Sequence, residues 1–468
     1  MTKLALLILM GCIALLQGCA SSHVIPVAKL QETVACTNEV PKRDVLVGVA
    51  LSGGGSRAAL FGASGLEALA GVKTSQGKSL LEHVGHVSSV SGGSLAATSY
   101  VLSKPPASVP MLDAQGTLTP EYRTFFEQYR GKLSQDFQSS LVTRQLMSLR
   151  WVNSALAART LSEILKDDLL GTATFQEAGA RERAADAPGL IVNTTLYNNG
   201  RRLVMSTLPQ DAFNYNFVAD LERSVISSGR PMRNADTIAR RWQTLKPLTP
   251  PDIRMDPCPI ALVGAAAASA SFPPLVGPIT MRVSDEEVFW HVGDGGLYEN
   301  SGLETLLFLH LKQLRDKAAR KSLIIAFDSS YPFSVGERQL SRRSLPFTLL
   351  TFDFSRVPSI MEERASAYQQ LFFQSLQLEG VFPGPETVMV VLLRHTDAKW
   401  NEDLSDLPNA CEGERAQLAN TEAVRERIAE IPTLLRVPSA CDRELLAAAA
   451  QKLVAEHQAG MVEFLSRR

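Results

Sequence analysis

The chain has 468 residues, 45% of them hydrophobic and 20% charged, with 47 Lys+Arg against 48 Asp+Glu and a formal net charge of −1. These proportions exclude a disordered, collagen-like or coiled-coil chain. They also exclude a nucleic-acid-binding protein, whose phosphate contacts need a clustered basic excess. A chain of this length can bury a large core.

The N-terminal segment reads as a signal rather than as fold. Lys3 precedes the apolar run Leu4 to Leu16, which is too short to span a bilayer, since that takes about 20 residues. It fits the apolar region of a secretory signal. Leu16-Gln17-Gly18-Cys19 resembles the lipobox of bacterial lipoproteins, in which Cys19 would become the lipidated first residue. Gln17 is less usual there than a small residue, and an ordinary signal peptide with an incidental Cys is the alternative. Ala20, where Asp would favour the inner membrane, implies by the same resemblance an outer-membrane anchor facing the periplasm. Multiple acyl chains would make that anchor stable.

The remaining chain alternates strands and helices. Residues 19–43 read as a tether. Asp44 to Leu51, His86 to Ser91, Leu190 to Leu196, Arg202 to Met205, Val288 to Val292, Ser322 to Phe327 and Thr387 to Leu393 read as strands. Asn198-Asn199-Gly200 reads as a hairpin turn between two of them. Helices are expected over Ser56 to Ala70, from Gly92 to Tyr100, within 120–170 and after Ser301. Thr160-Leu161-Ser162-Glu163 reads as a capping box, and Ser301 with Glu304 as another. Ala423 to Leu465 reads as outer helices. The alternation implies an α/β fold around a largely parallel sheet. The expected domains are a signal over 1–18, a tether over 19–43 and one catalytic domain over 44–468. That domain would carry a helical insertion at about 105–185 and a helical extension from about 396.

Four cysteines besides Cys19 follow in the mature chain: Cys36, Cys258, Cys411 and Cys441. An oxidising compartment permits disulfides, with Cys411–Cys441 the preferred pair, since both flank one helical stretch, and buried free thiols the alternative. No Cys/His spacing suggests a metal site. His310 falls on an apolar helix face and reads as a core histidine.

Three motifs carry chemistry. In Ser89-Val90-Ser91-Gly92-Gly93 a strand enters Ser91 and leaves directly as a helix, the layout of a nucleophile elbow. Ser89 and Gly93 supply the small residues needed where strand and helix meet, although Ser89 stands where Gly is usual. Ser94 is a rival hydroxyl inside the helix. Gly53-Gly54-Gly55-Ser56-Arg57 also joins a strand to a helix, and its backbone N–H groups are free to face an anion. In a hydrolase they would form an oxyanion hole, with Arg57 orienting the loop or adding positive potential. A nucleotide phosphate loop would need a terminal Lys-Ser/Thr, which is absent. Asp294 in Gly293-Asp294-Gly295-Gly296 follows a strand, and its flanking glycines permit close approach to a partner.

In this order the three motifs resemble the patatin-like phospholipase family: a glycine-rich loop, a G-x-S-x-G serine and a D-G-[GA] aspartate. Gly189 to Val204, Ala265 to Pro274 and Ile431-Pro432-Thr433 agree with it as secondary stretches, whereas Ala58 and Ser89 depart from the pattern. The resemblance implies a three-layer αβα fold with a central, mostly parallel sheet. It also implies a Ser91–Asp294 dyad acting on fatty-acyl esters of phospholipids, lysophospholipids or related lipids, with no metal or cofactor. A catalytic His is not expected, because strand alternation keeps His86 and His291 off the reacting positions. An acyltransferase, or an envelope scaffold without turnover, are the alternatives. The aromatic stripe Tyr122, Phe125, Phe126, Tyr129, Leu133 and Phe137 would either cap the cleft and hold acyl chains or pack as core.

Overall fold

The structure, a computed structural model, describes residues 23–467 apart from 32–33, 35, 149, 151–153, 228–234, 274–275 and 331–355. Cys19 and the stretch read as a signal lie outside the described residues. In chain order the elements are β1 (Val24–Val27), β2 (Val45–Leu51), α1 (Gly55–Ala70), β3 (His86–Val90), α2 (Gly92–Ser103), α3 (Pro120–Leu133), α4 (Phe137–Met147), α5 (Ser154–Leu165) and α6 (Phe175–Arg183). There follow β4 (Gly189–Leu196), β5 (Arg201–Ser206), α7 (Phe217–Ser227), α8 (Ala235–Leu245), α9 (Leu262–Ser269), β6 (Ile279–Val283), β7 (Phe289–Asp294) and α10 (Leu303–Arg315). The last are β8 (Lys321–Asp328), α11 (Arg356–Leu378), β9 (Val388–Arg394), α12 (Thr421–Glu430) and α13 (Ala440–Ser466).

The nine strands form one sheet between two helical layers, the three-layer arrangement expected. β9, β8, β2, β3 and β4 are mutually parallel, β1 is parallel to β6, and the pairs β4–β5, β4–β7 and β6–β7 are antiparallel. Side chains alternate between the faces with period two. Val49 and Leu51 of β2, Leu323, Ile325 and Phe327 of β8, and Val192 of β4 pack under α1, α2 and α9. Ala50, Ile324, Ala326 and Ile191 face α10 with Leu306 and Leu309. α10 crosses close to β2 at Gly48, where a Cβ would come within 2.8 Å of Leu306 and 2.9 Å of His310.

One register fixes the site. β4 residues Ile191 to Asn193 pair with β3 and β5 at once, so those strands flank opposite edges of β4. Thr194 to Leu196 pair with β5 and β7 at once. β7 therefore takes over from β3 along a single edge of β4. β3 runs parallel to β4 and β7 antiparallel, so their C-terminal ends meet head-on, Val90 opposite Asn193 and Asp294 opposite Thr194.

Several expectations are corrected. The stretch read as a tether enters the fold: Val24–Val27 forms the sheet edge against β6. An edge strand tolerates Pro26, whose missing N–H defeats the local strand signal. Thr160 is no cap but lies inside α5, where its hydroxyl donates to Leu156 O. Among the described residues the capping boxes are Ser79 with Glu82, Thr174 with Glu177 and Thr249 with Asp252. Gly302, with φ 69°, is the N-cap of α10, and Glu304 pairs with the buried Arg202 instead of closing a box. Of the two readings of the aromatic stripe, core packing fits: Tyr122, Phe126, Tyr129, Leu133 and Phe137 are buried, Phe125 is partly buried against them, and Tyr129 donates to Ala96 O of α2. α13 lies on α1 and buries Leu445, Leu446, Ala449 and Leu453, so nearly all of α1 is enclosed between it and the sheet.

Disulfides join Cys36 to Cys258 and Cys411 to Cys441. The second closes a sequence separation of 30 residues, which in the loop-entropy account stabilises by roughly 3–4 kcal/mol. Replacing both Cys411 and Cys441 by Ser is expected to lower the unfolding free energy by about that amount in a non-reducing urea titration.

Candidate active site

Ser91 sits at the junction of β3 and α2 with φ 50° and ψ −121°, a strained conformation for a residue with a Cβ. The sharp turn demands close approach on both sides. A Cβ on Gly92 would fall 1.9 Å from Gly55 O, and one on Gly93 2.4 Å from Leu51 O. Ser94 N–H donates to Ser91 O at 2.8 Å and starts the helix beneath the side chain. Ser89, in the place usual for Gly, is fully buried and donates to Ile191 O at 3.0 Å. The rival hydroxyl of Ser94 is also fully buried and engages Ser89 and Ser269.

The head-on strand ends bring Ser91 and Asp294 together. Ser91 Oγ donates to Asp294 Oδ2 at 2.9 Å. Asp294 Oδ1 accepts from Gly296 N–H at 2.8 Å, so the glycines after the aspartate supply an amide as well as room. Ser91 is 9% exposed and Asp294 2%. Burial pushes the Asp294 carboxyl up to about 7, against the opposing pull of hydrogen bonds from Gly296 N–H and the Ser91 hydroxyl.

The glycine loop stands against both residues, and its members differ. Gly53 N–H donates to Asn300 O at 2.8 Å, which ties the loop to the segment following Asp294. A Cβ on Gly53 would lie 2.0 Å from Asn300 Oδ1 and 3.1 Å from Ser91 Cβ. The amides of Gly54, Gly55 and Gly92 donate to no other group among the described residues. Arg57, which follows the loop in the first turn of α1, is fully buried. Its Nε and Nη2 donate to Ser329 O at 3.1 and 2.7 Å, its Nη1 to Ile431 O at 2.5 Å, and Nη2 also to Thr433 Oγ1 at 3.0 Å. Ile431-Pro432-Thr433 is thereby attached to the first helix.

No histidine contacts the pair. His291 bonds Thr280 Oγ1 through Nδ1 and is exposed. His86 and His310 are buried against each other, Nδ1 to Nε2 at 3.3 Å, and burial holds both well below the usual histidine range. His310 Nδ1 also meets Ser322 Oγ at 2.8 Å, as befits a core histidine. Sequence reasoning missed Ser269, Asn193 and Asn300. Ser269 Oγ accepts Ser91 N–H at 2.9 Å and donates to Asn193 O at 2.7 Å. Asn193 donates to Ser88 Oγ and Ser89 O across the β3–β4 seam. The small-residue run Ala265 to Ser271 was the only signal for Ser269.

A family model described as patatin-like phospholipase matches residues 49–307, more than half of the chain. The chain belongs to the patatin-like phospholipase family. Compared with curated proteins by sequence, it has no significant match. Human GIVD cytosolic phospholipase A2 is a structural relative at 14% identity and TM-score 0.45, with 91% of this chain covering 60% of that one. The same human protein bound to methyl gamma-linolenyl fluorophosphonate and terbium chloride matches at 15% identity and TM-score 0.44, with 91% and 59% covered. VipD from Legionella pneumophila matches at 12% identity and TM-score 0.23, covering 65% of this chain and 55% of that one. The chain thus spans about 60% of the length of the human phospholipase.

Within this patatin domain a carboxyl raised from 3.8 to about 7 carries a sign. The folded state holds its proton where the unfolded chain has lost it, so the contribution is complete below about 4 and is lost as pH rises through 7. The ceiling on that cost is about 4 kcal/mol. Asp294→Asn, whose amide can still accept from Gly296 N–H, is expected to unfold at a higher temperature than the parent at pH 8. The gain should fall by more than half at pH 5 and vanish near pH 4, as melting curves at the three pH values would show.

Proposed function

We propose that this protein is a lipid-anchored serine acyl hydrolase, with Ser91 as nucleophile and Asp294 as base, that cleaves fatty-acyl esters of phospholipids or lysophospholipids. The 2.9 Å hydrogen bond from Ser91 Oγ to Asp294 Oδ2 carries this reading. A serine hydroxyl is a poor nucleophile until a base within hydrogen-bond reach takes its proton. A carboxyl near pH 7 is a far better base than an ordinary aspartate and remains ionised enough to act.

The geometry supports the following steps. Ser91 Oγ adds to the ester carbonyl carbon as its proton passes to Asp294 Oδ2. The carbonyl oxygen becomes an oxyanion facing the amides of Gly54, Gly55 and Gly92, which have no other acceptor among the described residues. Gly53 then serves the loop rather than the oxyanion, and Arg57 acts through the loop. Collapse of the intermediate expels the alcohol, which takes the proton from Asp294 and leaves an acyl-Ser91 ester. Water next loses a proton to Asp294 and adds to the acyl carbon. Release of the fatty acid returns the proton to Ser91.

Attachment through Cys19 at the outer membrane, facing the periplasm, accords with the lipobox-like sequence, and two disulfides accord with an oxidising compartment. The substrate would then come from the membrane that holds the protein.

A soluble form beginning at Ala20 should be labelled by a fluorophosphonate at Ser91, with labelling abolished in Ser91→Ala and sharply reduced in Asp294→Asn. Activity on a short-chain ester should survive EDTA. Because the carboxylate form is the base, kcat/KM should fall about tenfold per pH unit below about 7 and level off above it. A folded parent that neither labels nor hydrolyses, or a rate flat down to pH 5, would reject the dyad.

A further inference from the structure

The Ser91–Asp294 distance is set by a third segment, the last residue of α9 and the two that follow it. Ser269 Oγ accepts the Ser91 N–H at 2.9 Å. Two residues on, Ser271 O accepts the Asp294 N–H at 3.1 Å. One short stretch of backbone therefore holds both members of the pair, each by its own amide.

That stretch is itself anchored. Ser269 donates to Asn193 O at 2.7 Å, on the β4 residue opposite Val90, beside the point where β3 and β7 meet. The Ser271 hydroxyl donates to Ala267 O at 2.6 Å and ties the exit of α9 back to the helix. Ser94 Oγ lies 2.9 Å from Ser269 Oγ and donates to Ser89 Oγ at 3.1 Å, and Ser89 passes the chain to Ile191 O. Ser89, which departs from the glycine of the family pattern, thus extends a hydroxyl cluster under the elbow. Every one of these hydroxyls is buried.

Ser91 has a positive φ and a buried amide, and each constrains the other. A buried N–H left without an acceptor is costly, and rotating Ser91 out of its strained conformation would both relieve the strain and re-aim the amide. The Ser269 hydroxyl makes that rotation unfavourable. It also directs the Ser91 amide away from the oxyanion position, leaving Gly92 as the elbow amide available there.

Resting on the hydrolase reading above, we propose that Ser269 is a positioning residue for the reaction, holding the nucleophile elbow in register with Asp294 through the Ser91 amide. It touches neither substrate nor reacting atoms, so its removal should affect the rate of acylation and not substrate binding. A small misplacement of a nucleophile costs up to about a hundredfold in rate.

The experiment compares Ser269→Ala, Ser269→Thr and Ser206→Ala with the parent, all as the soluble form beginning at Ala20. Ser206 is a buried β5 serine whose hydroxyl donates to Leu190 O and does not touch the elbow. Ester hydrolysis, fluorophosphonate labelling rate and melting temperature are read for each. Ser269→Ala should lose about ten- to a hundredfold in kcat and in labelling rate, with KM within about twofold of the parent. Ser206→Ala should melt at a comparably lower temperature with kcat unchanged, and Ser269→Thr, which keeps the hydroxyl, should regain most of the rate. Parent-like kcat in Ser269→Ala, a loss confined to KM, or an equal loss of kcat in Ser206→Ala overturns the proposal while the hydrolase reading stands. A folded parent that neither labels nor hydrolyses overturns both.

Discussion

Two strands share one edge of β4 and run toward each other until their ends meet. The candidate site is arranged about that meeting. β3 stops at Val90 opposite Asn193, β7 stops at Asp294 opposite Thr194, and the next position on the β3 side is Ser91. A wholly parallel sheet would have placed the end of each strand beside its neighbour rather than in front of it. The reversed direction of β7 beside the parallel pair β3 and β4 makes a site where two side chains face each other.

Holding that arrangement is costly. Ser91 keeps a positive φ, and Asp294 is buried with no cation bonded to its carboxylate among the described hydrogen bonds and ion pairs. A buried carboxylate is tolerated only with hydrogen-bond donors, and here they are the Gly296 amide and the Ser91 hydroxyl. The structure offsets both costs from outside the site. α1 is enclosed between sheet and α13, Arg57 binds three main- and side-chain oxygens, and the glycine loop is joined to the aspartate loop through Asn300. Rigidity around the pair is thus assembled from segments far apart in the chain.

Much of this was legible in the residues. β2, β4 and β8 announce themselves as short apolar runs, because they are buried on both faces and need no polar alternation, and the Asn-Asn-Gly turn marks β5 as the partner of β4. Ser91, Asp294 and the glycine loop are legible for a local reason: the small neighbours that each turn requires stand beside them in sequence. Ser269 was not, since its contact with Ser91 spans 178 residues and a lone serine in an alanine-rich helix has no local mark. β1 was hidden by Pro26, which only its place at the sheet edge permits. The box at Thr160 failed because helix start signals are short and common, and packing through Ala157, Ala158, Leu161 and Ile164 carries α5 through that position.

The Arg57 contacts also bear on how the chain is assembled. The guanidinium lies in the first turn of the first helix, while its acceptors are 272 and 374 residues downstream. β2 likewise has its full partner on one side only once β8 has been made. A chain emerging from its N-terminus would leave that edge of β2 unpaired until β8 had been made, and the guanidinium without its full set of protein acceptors until residue 433. Closure of the fold waits on contacts of long sequence separation, whose loop entropy is paid before they form.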